Sequence, residues 1–286
     1  GKYSTYYNSV GYTNQDGVMK GTNYQRYTLQ SKQDFKKGIF QAGTNVVLTY
    51  DQSNPLYSVI RGGMVGHTLQ AIPTWEQYDE NRTGGYGGLY GDVVNLTHPL
   101  GMVDDNLMKR YSDNVKIFAN AYVSVELMKG LKYKLNLTPD FQFYRYNSYE
   151  GLFDFGLAKH DITAVTEQQT RTRNILVENL LTFDRTFGDH KVSALVGYTY
   201  QDSRYRYMQG SGQGMPTGIT EIDAASQGLA VSGNSSRSVL TSILGRAFYS
   251  YKNRYLLTAT IRRDGSSKFG SNYRLSLIHI SEPTRH

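Results

Sequence analysis

The stretch from residue 119 to residue 143 decides the fold, and it reads ANAYVSVEL-MKG-LKYKLNLTPDFQF. In its first half, from Ala119 to Leu127, apolar residues alternate with polar or amphipathic ones. After Lys129-Gly130 the alternation resumes with Leu131, Tyr133, Leu135, Leu137, Phe141 and Phe143 on one side, and Lys132, Lys134, Asn136, Thr138, Asp140 and Gln142 on the other. Successive side chains of a strand point to opposite faces. The stretch therefore predicts a hairpin of two long strands with one apolar and one polar face.

The same unit recurs along the chain and predicts one antiparallel sheet. The predicted strands are Lys2–Thr13, Tyr24–Asp34, Phe40–Tyr50, Ile117–Leu127, Leu131–Tyr146, Asn174–Arg185, Lys191–Gln201, Ser238–Ser250 and Tyr255–Arg263. Short and long connections alternate between them. In an up-and-down sheet all the short turns therefore lie at one end and all the long loops at the other, which is how outer-membrane barrels are built.

A soluble β-sandwich is the alternative fold, because it too has one apolar and one polar face. Two further features favour the barrel. The predicted strands run about 10 to 16 residues, against about 5 to 6 in globular sheets. Aromatic residues also bracket the apolar faces, as lipid-headgroup girdles do. Those near the short turns are Tyr133, Phe183, Phe187, Tyr249, Tyr251 and Tyr255, and those toward the long loops are Phe141, Phe143, Tyr198 and Tyr200.

Composition excludes several other classes of protein. The 286 residues have a net charge of +7, but Lys and Arg are scattered rather than clustered, which argues against a nucleic-acid surface. No apolar run is long enough for a transmembrane helix, and a chain with no Cys has neither a disulfide framework nor a thiolate metal site. Gly1 opens inside a strand-like segment without a signal peptide, so we expect a fragment.

Several motifs resemble one transporter family. The run from Tyr249 to Gly270 resembles the conserved barrel segment of SusC/RagA-type TonB-dependent transporters, and its most specific part is Arg263-Asp264-Gly265-Ser266-Ser267-Lys268-Phe269-Gly270. Segments 6–17, 120–133 and 178–191 resemble the same family, in the expected order.

The resemblance implies a fold, a location and partners. The fold is an all-β, antiparallel up-and-down transmembrane barrel of about 22 strands, of which this chain supplies about nine to ten. It implies TonB-energised import of a nutrient across the bacterial outer membrane, a glycan oligosaccharide in preference to a peptide. Implied partners are a SusD-like surface lipoprotein, outer-membrane lipid, and the TonB-ExbB-ExbD system acting through a region absent here. The alternatives are a glycan-binding or adhesive envelope β-sandwich and a passive porin.

The family pattern breaks after Arg274. Residues 275–286 read LSLIHISEPTRH, which resembles translated read-through of a transposon-type sequencing adapter. We therefore expect a barrel segment over residues 1–274 and a non-native tail over residues 275–286, encoded in part by CTGTCTCTTATACACATCT.

The residues predict binding rather than catalysis. The histidines before residue 275 lack metal-ligand spacing, and no catalytic constellation, metal site or cofactor is expected. The candidate ligand residues are aromatics in the long loop from Asp51 to Lys116, which also contains many glycines, and they are Trp75, Tyr78, Tyr86 and Tyr90. Flat rings on flexible backbone suit stacking on sugars or gripping peptides. The alternative is that they pack the loop onto the rim or onto a partner. Tyr205 and Tyr207, predicted in the next long loop, are a second candidate pair.

Overall fold

The structure, a computed structural model, describes residues 2–55, 63–88, 96–270 and 275–285. Ten strands form one sheet: β1 (Ser4–Asp16), β2 (Asn23–Lys37), β3 (Phe40–Asn54), β4 (Met108–Met128), β5 (Leu131–Glu150), β8 (Ala164–Phe187), β9 (His190–Gln213), β10 (Gln227–Tyr251), β11 (Tyr255–Ser266) and β12 (Leu275–Arg285). Two short strands, β6 (Phe153–Asp154) and β7 (Lys159–His160), pair separately, and α1 spans Gly63–Gln70. No described helix is long and apolar enough to cross a membrane.

The sheet has the predicted up-and-down order. Its strands lie side by side in chain order and all its pairings are antiparallel. Tight turns at Gly38-Ile39, Lys129-Gly130 and Gly188-Asp189 join strands at one end. The longest connections, residues 55–107, 151–163 and 214–226, lie at the other. The sorting of connections is therefore confirmed, and we call the two ends periplasmic and extracellular.

The strands are longer than the sequence pattern predicted, and this corrects one assignment. β8 and β9 each contain 24 residues and β10 contains 25. Tyr205 and Tyr207, predicted in a loop, lie in β9, where Tyr205 pairs with Thr172 and Tyr207 with Thr170. In a membrane barrel apolar and polar residues alternate only over the lipid-facing part of a strand. Backbone pairing continues beyond that part, so the sequence pattern predicted strands that are too short.

The two faces of the sheet are chemically opposite across many strands. One row in register runs through Phe40, Val125, Tyr133, Leu181, Val196, Gly245 and Ile261. On the other face a row runs through Thr5, Asp34, Gly43, Tyr122, Asn136, Glu178, Thr199, Ser242 and Asp264. The polar residues that alternate along 132–142 in the sequence lie on this face. All ten girdle aromatics share the apolar face.

Burial is inverted relative to a soluble sheet. On the apolar face Val196 is 57% exposed and Ile243 is 57% exposed, whereas Ser242 on the polar face is 1% exposed. A sandwich would bury its apolar face against a second sheet. An apolar face turned outward and a polar face turned inward instead describe the wall of a membrane barrel. The barrel prediction is confirmed and the sandwich alternative is wrong.

The end of the chain continues the sheet. Residues Leu275–Arg285 pair with β11 from Gly265 back to Tyr255. Residues 271–274 lie outside the described residues. Strand pairing does not reveal how a segment is encoded, so the non-native origin of residues 275–286 stays a prediction.

Candidate functional site

The inner wall carries an interlocked polar cluster around Tyr122. The Tyr122 hydroxyl donates a 2.8 Å hydrogen bond to Asp34 Oδ1, and the Lys134 ammonium lies 4.4 Å from the centre of the Tyr122 ring. Gly43 stands between Asp34 and Tyr122 in the register. A Cβ there would lie 2.5 Å from Tyr122 Cε1 and 2.6 Å from Asp34 Oδ1. The glycine therefore lets the tyrosine lie across β3 and reach the carboxylate on β2.

The polar cluster extends along the wall through amides. Asn136 Nδ2 donates to Glu178 Oε2 at 2.8 Å, and Asn120 Nδ2 donates to Asn136 Oδ1 at 2.9 Å and to Thr138 Oγ1 at 2.7 Å. Beside it lies an open groove of about 550 Å³. It is lined by Lys32, Asp34, Gln41, Thr44, Asn45, Asn120, Tyr122, Ser124, Lys132 and Lys134. A wall of this kind can contact water, a polar plug or a hydrophilic solute.

The family motif fastens the extracellular end of β11. Arg262 Nε lies 2.8 Å from Asp264 Oδ1, and Arg262 Nη2 donates to Ser242 Oγ at 3.3 Å. Ser267 bonds Val239 twice, because its amide donates to the Val239 carbonyl and its hydroxyl accepts from the Val239 amide. Arg263 and Gly265 take the outer face, Asp264 and Ser266 the inner face, and Phe269 is 59% exposed in the turn that ends at Gly270. The motif therefore holds β11 against β10.

The described parts of the longest extracellular loop pack with the neighbouring loop into a module. The buried core of this module consists of Met64, Met102 and Leu107 of the longest loop, Met108 of β4, and Phe153 and Phe155 of the neighbouring loop. Arg82, with 9% of its side chain exposed, binds Asp79 at 3.1 Å and Asp154 of the neighbouring loop at 3.0 Å. The Gly156 amide, and then Lys159 and Arg82, hold the pKa of Asp154 below its usual range. The two loops thus lock together. At Gly87 a Cβ would clash with the Glu76 carbonyl oxygen, so this position requires glycine, whereas at Gly85 a Cβ would meet no other atom.

Tyr86 and Trp75 are packed into this module. The Tyr86 ring lies 5.1 Å from the ring of His98 and 6.1 Å from that of Phe155, and the Trp75 ring lies edge-on to His98 at 4.8 Å. The Tyr86 hydroxyl donates to Asp104 Oδ2 at 2.9 Å, and burial together with that carboxylate raises the pKa of Tyr86 to about 12. Burial also lowers the pKa of His98. These contacts give both aromatics a structural role.

The other candidate ligand residues lie outside the buried core of the module. Tyr78 is 63% exposed; its ring lies 5.6 Å from the Tyr86 ring, and its hydroxyl accepts a 3.4 Å hydrogen bond from Gln77 Nε2. Tyr90 lies outside the described residues. Tyr205 and Tyr207 are on the polar inner face of β9, far along the chain from the module, and the Tyr207 hydroxyl donates to Gln209 Oε1. A ligand role for these tyrosines stays a prediction.

Sequence reasoning missed Asp34, Gly43 and Arg82. The only signal was a glycine in the middle of a strand, which often marks close approach of another group. In the described part of the chain no three His, Cys, Asp or Glu side chains come together as a metal site.

Comparison with known proteins identifies the kind of barrel. No family model matches the chain. It is 29% identical over 294 residues to TonB-dependent receptor P3 of Formosa agariphila, a match that covers 96% of this chain and 28% of that protein. It is 24% identical to the TonB-dependent receptor SusC of Bacteroides thetaiotaomicron, over 93% of this chain and 28% of that protein. The chain is a relative of the SusC-type TonB-dependent receptors.

The solved structures agree in fold with this SusC-type relationship. The RagAB peptide transporter superposes with a TM-score of 0.82 at 17% identity, over 97% of this chain and 32% of that one. The chain thus spans under a third of the length of the curated relatives and of the RagAB transporter. These likenesses place the chain in the outer membrane.

Proposed function

We propose that the protein containing this chain imports a nutrient across the outer membrane with energy delivered through TonB, and that this chain forms one side of the import channel. The observation that carries the proposal is the polar row on the inner face, which extends over nine strands from Thr5 to Asp264. A hydrated or plugged lumen satisfies those groups, whereas sealing them unpaired would cost a few kcal/mol each. The kinship with SusC-type receptors supports the same conclusion.

The proposed nutrient is a glycan oligosaccharide. It would meet the exposed ring of Tyr78 at the mouth of the barrel, where an aromatic face can stack on a sugar ring. Amide, hydroxyl and lysine groups in the groove beside Tyr122 suit a solute rich in hydroxyl groups. Peptide import is the second candidate, and the fold likeness to the RagAB peptide transporter favours it.

We propose two partners, a surface lipoprotein and the TonB-ExbB-ExbD system. A SusD-like lipoprotein would cap the extracellular module formed by the two long loops, whose rigid core gives such a cap a defined surface. The TonB-ExbB-ExbD system would act on a part of the protein outside this chain. The role is transport and not catalysis, in keeping with relatives that are receptors and transporters.

The test is ligand binding by the intact protein in detergent, measured by calorimetry against a panel of oligosaccharides and peptides. Tyr78→Ala is expected to weaken binding of the recognised ligand by about 5- to 100-fold, the worth of one stacked aromatic. Tyr3→Ala is the matched control, because Tyr3 is also exposed but lies at the periplasmic end.

Binding of peptides alone would replace the glycan proposal by the second candidate. A passive porin predicts uptake that continues when TonB is deleted. Uptake in a TonB-deleted strain equal to that in the parent strain would therefore refute energised import.

A further inference from the structure

Five arginines cluster on the outer face of three adjacent strands. Arg171 and Arg173 of β8 lie directly across from Arg206 and Arg204 of β9, and Arg204 lies across from Arg237 of β10. These positions lie on the outer face, because every second residue from Val177 back to Arg171 and from Tyr200 on to Arg206 points to the same side of the sheet. In the sequence the basic residues are scattered along the chain. Pairing in register brings these five together from separate stretches of the chain.

The cluster lies at the extracellular border of the membrane. On β8 the outer-face residues from Phe187 to Ile175 are aromatic or apolar apart from Arg185 and Asn179, and this stretch is about 40 Å long at 3.3 Å per residue. At a strand tilt of about 45° its height is about 28 Å, close to the apolar band of about 25 Å in outer-membrane barrels. Arg173 and Arg171 follow immediately, at the level where lipid headgroups begin.

The protein neutralises only part of this charge. Asp202 is the central carboxylate, bound by Arg237 at 2.9 Å, Arg204 at 3.3 Å and Arg173 at 3.8 Å. Arg171 and Arg206 form no ion pair in the described residues, although like charges directly opposite each other destabilise a sheet. The Nε of Arg173 is buried with no hydrogen-bond acceptor among the same residues. Five arginines against one aspartate leave four positive charges and an unused donor.

The surroundings select an amphiphilic anion. In the register Asp202 lies between Ile175 and Val239, and Tyr200 lies one step lower on the same face. An open groove of about 950 Å³ runs over the arginines. A ligand there would place anionic groups on the guanidinium forks and apolar chains against the band beneath.

We propose that Arg171, Arg173, Arg204, Arg206 and Arg237 form a binding site for the phosphate groups of an outer-leaflet lipid. The site lies on the outer wall and does not depend on the imported nutrient. An acidic protein could supply the charge, but it would not use the apolar band that continues directly below the arginines. A lipid uses both parts.

The test measures binding of fluorescent lipid A, a phosphorylated glycolipid, to the intact protein in neutral detergent. We expect saturable binding that disappears when the phosphates are removed from the lipid. Arg171→Gln with Arg206→Gln is expected to weaken it about 25-fold, because each arginine at a headgroup surface is worth about a five-fold change. Lys129→Gln with Arg254→Gln removes two charges at the periplasmic turns and should leave binding unchanged.

Three results would overturn the proposal. Equal loss in the two double variants would show a general charge effect. Equal binding of the dephosphorylated lipid would show apolar adsorption only. Displacement of the lipid by inorganic phosphate at constant ionic strength would show a simple anion site. If the glutamine variant fails to fold, Arg171→Lys with Arg206→Lys serves instead, and retention of more than half of the binding energy is expected because the charge is kept.

Discussion

A charge placed on either side of one strand tests which face of the sheet meets lipid. Val196 and Thr199 are three residues apart on β9 and point to opposite faces. Val196 lies in the row with Leu181 and Gly245, midway between the periplasmic turn and the arginine cluster. Thr199 lies in the polar row beside Glu178. We compare Val196→Arg with Thr199→Arg.

The expected difference follows from burial in hydrocarbon. Val196 is 57% exposed in the isolated wall, so a soluble sheet would accept arginine there at almost no cost. At the midplane of a bilayer the same change costs about 2–4 kcal/mol, a factor of about 30 to 700 in the folded-to-unfolded ratio. At Thr199 the guanidinium faces water and Glu178, so we expect a change within about 0.5 kcal/mol.

The assay is denaturant unfolding of the intact protein in phosphatidylcholine vesicles, followed by tryptophan fluorescence and by gel mobility without heating. Val196→Arg should shift the unfolding midpoint strongly to lower denaturant, while Thr199→Arg should resemble the parent. If Val196→Arg proves as stable as Thr199→Arg, or Thr199→Arg is the worse of the two, the assignment of lipid and water to the two faces fails.

The remaining predictions concern the inner wall, the loops and the tail. Gly43→Ala should cost about 1–3 kcal/mol by pushing Tyr122 off Asp34, and the cost should shrink in a Tyr122→Ala background; strictly additive unfolding energies would argue against the contact. Arg82→Ala should release the two locked extracellular loops, seen as faster limited proteolysis there, with Lys129→Ala as an unaffected control. Because folding lowers the pKa of Asp154, this carboxylate stabilises the loops above about pH 4, and the stabilisation is lost as pH falls through the folded pKa. Protease resistance of the parent protein should therefore drop below about pH 4, and a resistance that is constant down to pH 2 would contradict this. Tyr86 has a pKa of about 12, against 10 in the unfolded chain, so its contribution to stability is complete below about pH 10 and is lost toward pH 12. The difference in ultraviolet absorbance between the parent and Tyr86→Phe should therefore show tyrosinate only above about pH 11. Sequencing of the source DNA should find the adapter run across Leu275–Ile280, and any other codons there would make the tail native.

The sequence by itself determined the membrane-spanning part of the wall. Strict alternation, as in Leu131 to Phe143, marks the two faces because side chains of a strand alternate and only one face meets lipid. The short glycine-containing turns predicted the order of the strands, and the aromatic residues near the strand ends predicted the borders of the membrane. These signals are local, so they can be read from neighbouring residues alone.

Only the tertiary structure decided what the faces carry. The Asp34, Gly43 and Tyr122 contact joins three strands, and the arginine cluster joins residues up to 66 positions apart, from Arg171 to Arg237. Both depend on the register of strand pairing, because a one-residue shift would move the side chains of a strand to the opposite face. Beyond the arginine cluster most strand residues on both faces are polar or glycine, so the apolar-polar alternation is lost there. The strand position of Tyr205 and the packed core around Tyr86 could therefore emerge only from the folded chain.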